Sequence, residues 1–545
     1  MNSLGQHLLK RLESFGVRHI FGVPGDYVLP FDKAIEESSI PFINAANELT
    51  AGYMADAYGR LSGMGVACIT YGVGISIVSA LAQAYVESSP LVVISGAPSA
   101  KDLEKCPHLH HVIHNGSEKP KIDTQANLFR QVTIDQAILS DPKSAPAEIE
   151  RVLARCFAEK KPVYIEIPKN LVNMDVLQAP PFKVTLPCDE EALEEAVHEA
   201  CARLSQAKKP LLWLGHELLR FGLSDKVLKF AHANHIPIVT SLTGKSVISE
   251  RDPLFVGVYL GKMSRPEVHA FVEESDLIFL FGVMINEIDT GIFTASLEKK
   301  KLLSAKETSV QISSHVYKEV PLSKFVERFT KTAHPPFSKR SIPKMPSVAF
   351  TPKKDTPMKT ERLFEGLSSY LSKDHLIIAE IGDCLFGSLD LIVEQNHYLS
   401  CAHFAALGFA VPGAVGASLG NPKARVIALV GDGGFQMTCQ ELSSAIRLGL
   451  DPIIIVFNNH GYGTERPLLE GTYNDIQNWS YHLLPKVFGG EAGFYVKTEE
   501  DFKKALDQAF STRNKLHIIE VELGKTDLSR PLKQLSLITN KRAPN

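Results

Sequence analysis

The sequence predicts an α/β protein built from doubly wound parallel sheets, and three observations carry that expectation. Short apolar runs rich in β-branched residues recur along the chain, among them "PLVVISG" from Pro90, "RVIALV" from Arg425 and "PIIIVF" from Pro452. They are continuous rather than alternating, as central strands buried on both faces are. Helical periodicities separate them, and several end in glycine-rich polar turns, at the edge where open α/β sheets hold ligands.

A chain of 545 residues is long enough for roughly three or four domains. With 44% hydrophobic and 22% charged residues, the composition is that of an ordinary soluble globular protein. A formal charge of −3 and a pI near 6.7 give no electrostatic case for nucleic acid or an anionic membrane. None of the eight cysteines forms a C-x-x-C pair, so neither a zinc site nor a disulfide framework is expected, and a reducing, cytoplasmic setting fits. The first residues lack the apolar core of a signal peptide, and no uncharged apolar stretch reaches membrane-spanning length.

Residues 1–180 alternate helix and strand. Leu4, Leu8, Leu9 and Leu12 mark an amphipathic first helix. "HIFGVPG" is a strand that delivers Asp26 to a turn, "PFINAAN" leads to Glu48 at the head of a helix, and "GVACITYGVG" ends in Thr70 and a glycine turn. Gly72 and Gly74 alone do not make a dinucleotide fingerprint, because Ile77 replaces the third glycine. Residues 190–333 read as a second α/β block without a constellation of reactive side chains. Residues 334–357, rich in proline and lysine, read as an extended linker. Residues 358–545 form the third block.

The chemistry concentrates at 425–465. "RVIALV" runs into Gly431-Asp432-Gly433-Gly434, a helical stretch follows, and "PIIIVF" runs into Asn458-Asn459-His460-Gly461. The glycines let backbone N–H groups approach an anion beside a helix N-terminus. Asp432 offers a carboxylate oxygen, Asn459 an amide oxygen and Gly461 a carbonyl, a donor set that suits Mg²⁺ while leaving places for phosphate oxygens. Asp, Gly and Asn dominate ordinary turns too. The pairing of two such turns, one helix apart at one sheet edge, favours function.

GDG followed after about two dozen residues by NN resembles the diphosphate/Mg²⁺ motif of thiamine diphosphate (ThDP) enzymes. "GYGTER" resembles the segment that carries an active-site glutamate, here Glu465, in the pyruvate, indolepyruvate and phenylpyruvate decarboxylases. The resemblance spans essentially the whole chain. It implies pyrimidine-binding, central and diphosphate-binding domains, with ThDP and Mg²⁺ as cofactors. Glu48 matches the carboxylic acid that relays a proton to the cofactor, and its Ala, Leu and Thr neighbours would desolvate it in part. Asp26, the adjacent pair His110-His111 in "CPHLHHVIHN" and Glu465 match an acid–base cluster that protonates the species left when CO₂ departs and helps release the aldehyde. Adjacent histidines in a surface loop commonly point apart, so this pairing is an expectation for the structure to meet. Leu407 matches the aliphatic wedge that bends the cofactor, and the Ala405 carbonyl matches the acceptor of its amine.

Leu385, Thr464 and Leu468 stand where relatives carry pocket residues, and lost bulk at the first two widens a pocket. The resemblance therefore implies non-oxidative decarboxylation of a 2-oxo acid, aromatic or long-chain in preference to pyruvate. It also implies a homodimer or homotetramer whose sites are shared between subunits. The alternative is a carboligase of the acetolactate synthase type, against which the histidine pair and "GYGTER" argue. A non-catalytic binding protein would have lost Glu48 or the metal ligands.

Overall fold

The structure, a computed structural model, describes residues 2–106, 108–113, 123–345 and 349–540. Pro107 and His114 of the histidine-rich motif, and residues 346–348 of the expected linker, lie outside the described residues. Three large sheets carry the chain, and a fourth, two-stranded and antiparallel, pairs Asn2–Ser3 with Asp175–Val176.

The first sheet contains β1 (Ile20–Gly22), β2 (Phe42–Asn44), β3 (Gly65–Ile69), β4 (Leu91–Ala97), β5 (Asp135–Ile138) and β6 (Val163–Pro168), in the order β2-β1-β3-β4-β6-β5. All its pairings are parallel. The third contains β14 (His375–Ala379), β15 (Tyr398–Leu399), β16 (Arg425–Gly431), β17 (Ile453–Asn458), β18 (Phe494–Val496) and β19 (His517–Glu522), in the order β15-β14-β16-β17-β19-β18. It too is wholly parallel. In both sheets the strand order reverses at the first strand, between β1 and β3 and between β14 and β16. Such a switch point opens a crevice beyond the strand carboxyl ends. The apolar runs of β16 and β17 are buried on both faces, as their continuous pattern requires.

The central sheet is mostly parallel, as expected, and adds an antiparallel extension. Its strands β7 (Pro210–Leu214), β8 (Ile238–Thr240), β9 (Phe255–Val258), β10 (Leu277–Phe281) and β11 (Leu302–Lys306) pair in parallel. Strands β12 (Ser309–Ile312) and β13 (His315–Lys318) then extend it as an antiparallel meander. The connections after Lys306 and Ile312 are two residues each, too short for a crossover, so only antiparallel return is possible.

Two helices join the first and third sheets. Glu48–Ser62 packs along Ala410–Gly420, so closely that a Cβ on Gly416 would lie 2.1 Å from the Met54 carbonyl. The Ala46 N–H donates to Glu441 Oε1 at 2.8 Å across the same junction. Among the described residues no helix is long and apolar enough to cross a membrane.

Candidate active site

The switch point of the third sheet holds a cavity of about 240 Å³. Its walls come from the turns after β14, β16 and β17 and from the loop 401–409, and they include Ala405, Leu407, Thr464 and Glu465. At its floor the GDGG stretch is the first turn of the helix Asp432–Thr438 rather than a free turn. Its N–H groups therefore face the end of β16 with the partial positive charge of a helix start. Gly431 opens on space, since a Cβ there would meet nothing within 4 Å, whereas a Cβ on Gly433 would lie 2.7 Å from Tyr462.

Asp432 is fully buried. Its Oδ1 accepts the Gly433 N–H at 2.8 Å and its Oδ2 the Gly461 N–H at 3.0 Å. Burial pushes its carboxyl up to about 7, against the opposing pull of backbone N–H groups from Gly461, Gly433, His460 and Asn459. Asn459 Oδ1 is buried with no hydrogen-bond partner, an arrangement that costs free energy unless something else fills the place. The Gly461 carbonyl accepts the Gly463 N–H at 2.9 Å and keeps its second lone pair. A divalent cation fits this donor set, because it would supply both the missing countercharge and the missing partner.

The segment after Asn459 is tightly specified. Gly461 has φ 137°, and a Cβ there would lie 2.0 Å from the Asn474 carbonyl, so only glycine fits. Arg466, almost fully buried, pairs with Glu470 and Asp475 and donates to the His460 carbonyl at 3.1 Å. It clasps the loop that presents Thr464 and Glu465.

A second group sits at the carboxyl edge of the first sheet. Glu48 is half-buried at the start of its helix, behind the Asn47 cap, and its Oε2 accepts the Ser76 hydroxyl at 2.8 Å. Thr70, at the end of β3, is buried with Oγ1 unpaired. Asp26 Oδ2 lies 2.8 Å from His110 Nε2. His111 adopts the left-handed region, φ 66°, uncommon for a residue with a side chain. The two imidazoles thereby meet edge-on with centroids 4.6 Å apart, and the ligand atoms of Asp26, His110 and His111 all lie within 4.8 Å of one another. Tyr27 stacks on His110 and donates its hydroxyl to the His110 carbonyl.

Three family models match in order: the N-terminal TPP binding domain of thiamine pyrophosphate enzymes at residues 2–125, their central domain at 197–332, and their C-terminal TPP binding domain at 381–521. The chain is 35% identical to the indole-3-pyruvate decarboxylase of Azospirillum brasilense, over 97% of both chains. It is 33% identical to the pyruvate decarboxylase of Candida glabrata, over 98% of both. It is 32% identical to pyruvate decarboxylase 1 of Pisum sativum, over 100% of this chain and 94% of that one. The chain belongs to the thiamine diphosphate-dependent 2-oxo acid decarboxylases.

Within the chain the enzyme keeps its two groups apart. No first-sheet residue lines the cavity, so Glu465 and the Asp26–His110–His111 cluster are not brought together in a single chain. The side chains of Asp26 and His110 are 46% and 61% exposed. The residues expected to set pocket width also divide. Thr464 lines the cavity, its hydroxyl against Gly382. Leu385 does not: it is 2% exposed in the apolar core. The helix Asp383–Gly387 starts two residues earlier, and each helical residue turns its side chain by about 100° from the last, so Asp383 and Cys384 line the cavity while Leu385 faces inward. Leu468 is 47% exposed and lies outside the cavity wall. The residues missed in the sequence are Glu380 and Arg466. A glutamate closing the apolar run of β14 was the one available signal for the first, and Arg466 carried none.

Proposed function

We propose that this decarboxylase cleaves an aromatic or long-chain 2-oxo acid to CO₂ and an aldehyde. In that reading Asp432, Asn459 and the Gly461 carbonyl hold Mg²⁺, and the 431–434 turn receives a diphosphate through N–H groups other than that of Gly433, which Asp432 Oδ1 already holds. The observation that carries the cofactor placement is the unpaired Asn459 Oδ1 beside the buried Asp432 carboxyl. ThDP, when bound, supplies the electron sink that accepts the electron pair of the breaking C–CO₂ bond.

The chain's own groups handle protons and position. Glu48 Oε2 is engaged by the Ser76 hydroxyl, which fixes the carboxyl and leaves Oε1 to hold and pass a proton. The Ala405 carbonyl and Leu407 side chain, on the cavity wall, orient the reacting partners. Asp26 Oδ2 and His110 Nε2, 2.8 Å apart, share a proton that the cluster delivers to the product carbon. His111 supports this with an Nδ1 that is buried without a hydrogen-bond partner. Glu465, exposed at the cavity mouth, serves the same transfer from the other side.

The reading includes a homodimer or homotetramer, which this division of labour supports. The cavity and the histidine cluster are each half of a site, and a second copy supplies the missing half. The wide-substrate reading is supported by Thr464, a small side chain on the cavity wall.

The experiment is release of CO₂ and aldehyde with ThDP and Mg²⁺ present, from pyruvate, phenylpyruvate, indolepyruvate and branched-chain 2-oxo acids, with Glu48→Gln as control. Faster turnover of the aromatic acids, lost in the control, is the expected result. A preference for pyruvate would reject the wide pocket. Carbon–carbon ligation products without aldehyde would point to a carboligase.

A further inference from the structure

The loop 401–409 carries Ala405 and Leu407 to the cavity in a conformation its own backbone disfavours. Ala405 has φ 60°, in the left-handed region that a side chain disfavours, and Gly408 has φ 91°, which glycine adopts freely. Two buried carboxyl groups hold it, one at each end. Glu87 Oε1 accepts the His403 and Phe404 N–H groups at 2.9 and 3.0 Å. Glu380 Oε2 accepts those of Gly408 and Ala410 at 3.2 and 3.0 Å.

Glu380 has a second contact that Glu87 lacks. It closes β14, fully buried, and lies against the glycine turn beside Asp432: a Cβ on Gly434 would come within 3.1 Å of its Cγ. One side chain therefore touches both the loop that presents Ala405 and Leu407 and the turn that starts at the candidate metal ligand. We propose that Glu380 is a positioning residue for decarboxylation, setting the Ala405 carbonyl and the Leu407 side chain at a fixed distance from the Asp432 end of the site. This inference rests on the cofactor placement proposed above.

What the two N–H groups require is an oxygen acceptor, not a charge. Burial pushes the Glu380 carboxyl up to about 7, against the pull of the backbone N–H groups of Ala410, Ile381, Gly408 and Phe409. An amide oxygen in the same place would serve as well, whereas removal leaves two buried donors unpaired. Geometric errors of about 1 Å in a catalytic arrangement cost up to on the order of a hundredfold in rate.

The test compares wild-type enzyme with Glu380→Gln and Glu380→Ala, each checked by its melting curve, with Mg²⁺ present. ThDP binding is followed by quenching of intrinsic fluorescence, and kcat and KM are measured at saturating ThDP. Glu380→Gln is expected to keep most of the wild-type kcat. Glu380→Ala is expected to lose about tenfold or more in kcat, with KM little changed and with weaker ThDP binding. If the Ala chain does not fold, Glu380→Asp, which withdraws the oxygens by one methylene, carries the same expectation. An Ala or Asp variant with wild-type kcat, or Gln and Ala variants that fall equally, would overturn the positioning role. A wild-type chain that fails to bind ThDP would overturn the cofactor placement and this role with it.

Discussion

Asp432 and Gly461 are tied across the ends of two neighbouring strands, the Asp432 Oδ2 accepting the Gly461 N–H at 3.0 Å. The bond fixes the spacing between the helix start after β16 and the turn after β17 with no ion needed to draw them together. The site is thus preorganised, and the group left over is Asn459, whose Oδ1 is buried and unpaired. Asn459→Ala should therefore leave the melting midpoint of the cofactor-free protein near that of wild type, because no internal hydrogen bond to Oδ1 is lost. It should weaken Mg²⁺-dependent ThDP binding by about 10- to 100-fold. Calorimetric titration of both proteins checks this, and equal affinities would show that Asn459 is not a ligand.

Leu385 and Thr464 should respond to added bulk in different ways. Leu385 sits in the core among Phe364, Phe457 and other apolar groups, so Leu385→Trp should overpack it at a cost of about 1–3 kcal/mol. Its melting midpoint should drop with the order of substrate preference unchanged. Thr464→Ile narrows the cavity wall itself and should shift kcat/KM toward smaller 2-oxo acids by about tenfold. A specificity switch in the Leu385 variant would place that side chain in the pocket after all.

These contrasts show what the sequence could carry. The third sheet and the polar turns at its edge were legible because continuous apolar runs and the residues that end them are adjacent in the chain. Asp432 and Asn459 needed only the strand–helix–strand pattern to arrive at one edge. Leu385 was misplaced because a short helix begins at Asp383, and one residue of helical rotation moves a side chain from cavity to core. The antiparallel meander of the central sheet hung on two-residue connections after Lys306 and Ile312, hard to see between polar segments. Glu380 was missed because its partners, Gly408 at the end of a loop and Ala410 at the start of the next helix, lie some thirty residues away, and nothing local announces a contact made only on folding.

Ala405 stands in a left-handed conformation, φ 60°, on the exposed rim of the cavity. An L-residue there carries about 1–2 kcal/mol of strain, whereas glycine adopts it freely. Ala405→Gly should retain activity, with a melting midpoint equal to or above that of wild type. Ala405→Val adds a β-branch to the strained backbone and should lower both the midpoint and kcat. Loss of activity in the glycine variant would show that the Ala405 methyl group, and not only its carbonyl, takes part in the site.

Glu166 offers a pH test away from the candidate cofactor site. It is buried at the end of a chain of hydrogen bonds that runs from the Gly72 N–H to Gln125, from Gln125 to the Tyr164 hydroxyl, and from there to Glu166 Oε2. That chain supports the turn whose Gly72 abuts the His111 carbonyl, where a Cβ would lie 1.9 Å away. Burial raises the Glu166 carboxyl from 4.5 to about 7 despite the Tyr164 hydrogen bond. The folded chain therefore holds a proton between those values that the unfolded chain has released, and stability drains away as pH rises through the window. Glu166→Gln cannot titrate, yet its amide oxygen can still accept from Tyr164. The variant should gain on wild type between pH 5 and pH 8, by on the order of 1–3 kcal/mol. Comparing the two proteins at each pH cancels the contributions of the buried histidines, such as His216, which burial holds low and which they share. Melting midpoints whose difference stays flat across that range would mean that Glu166 ionises in the folded protein as readily as in the unfolded chain.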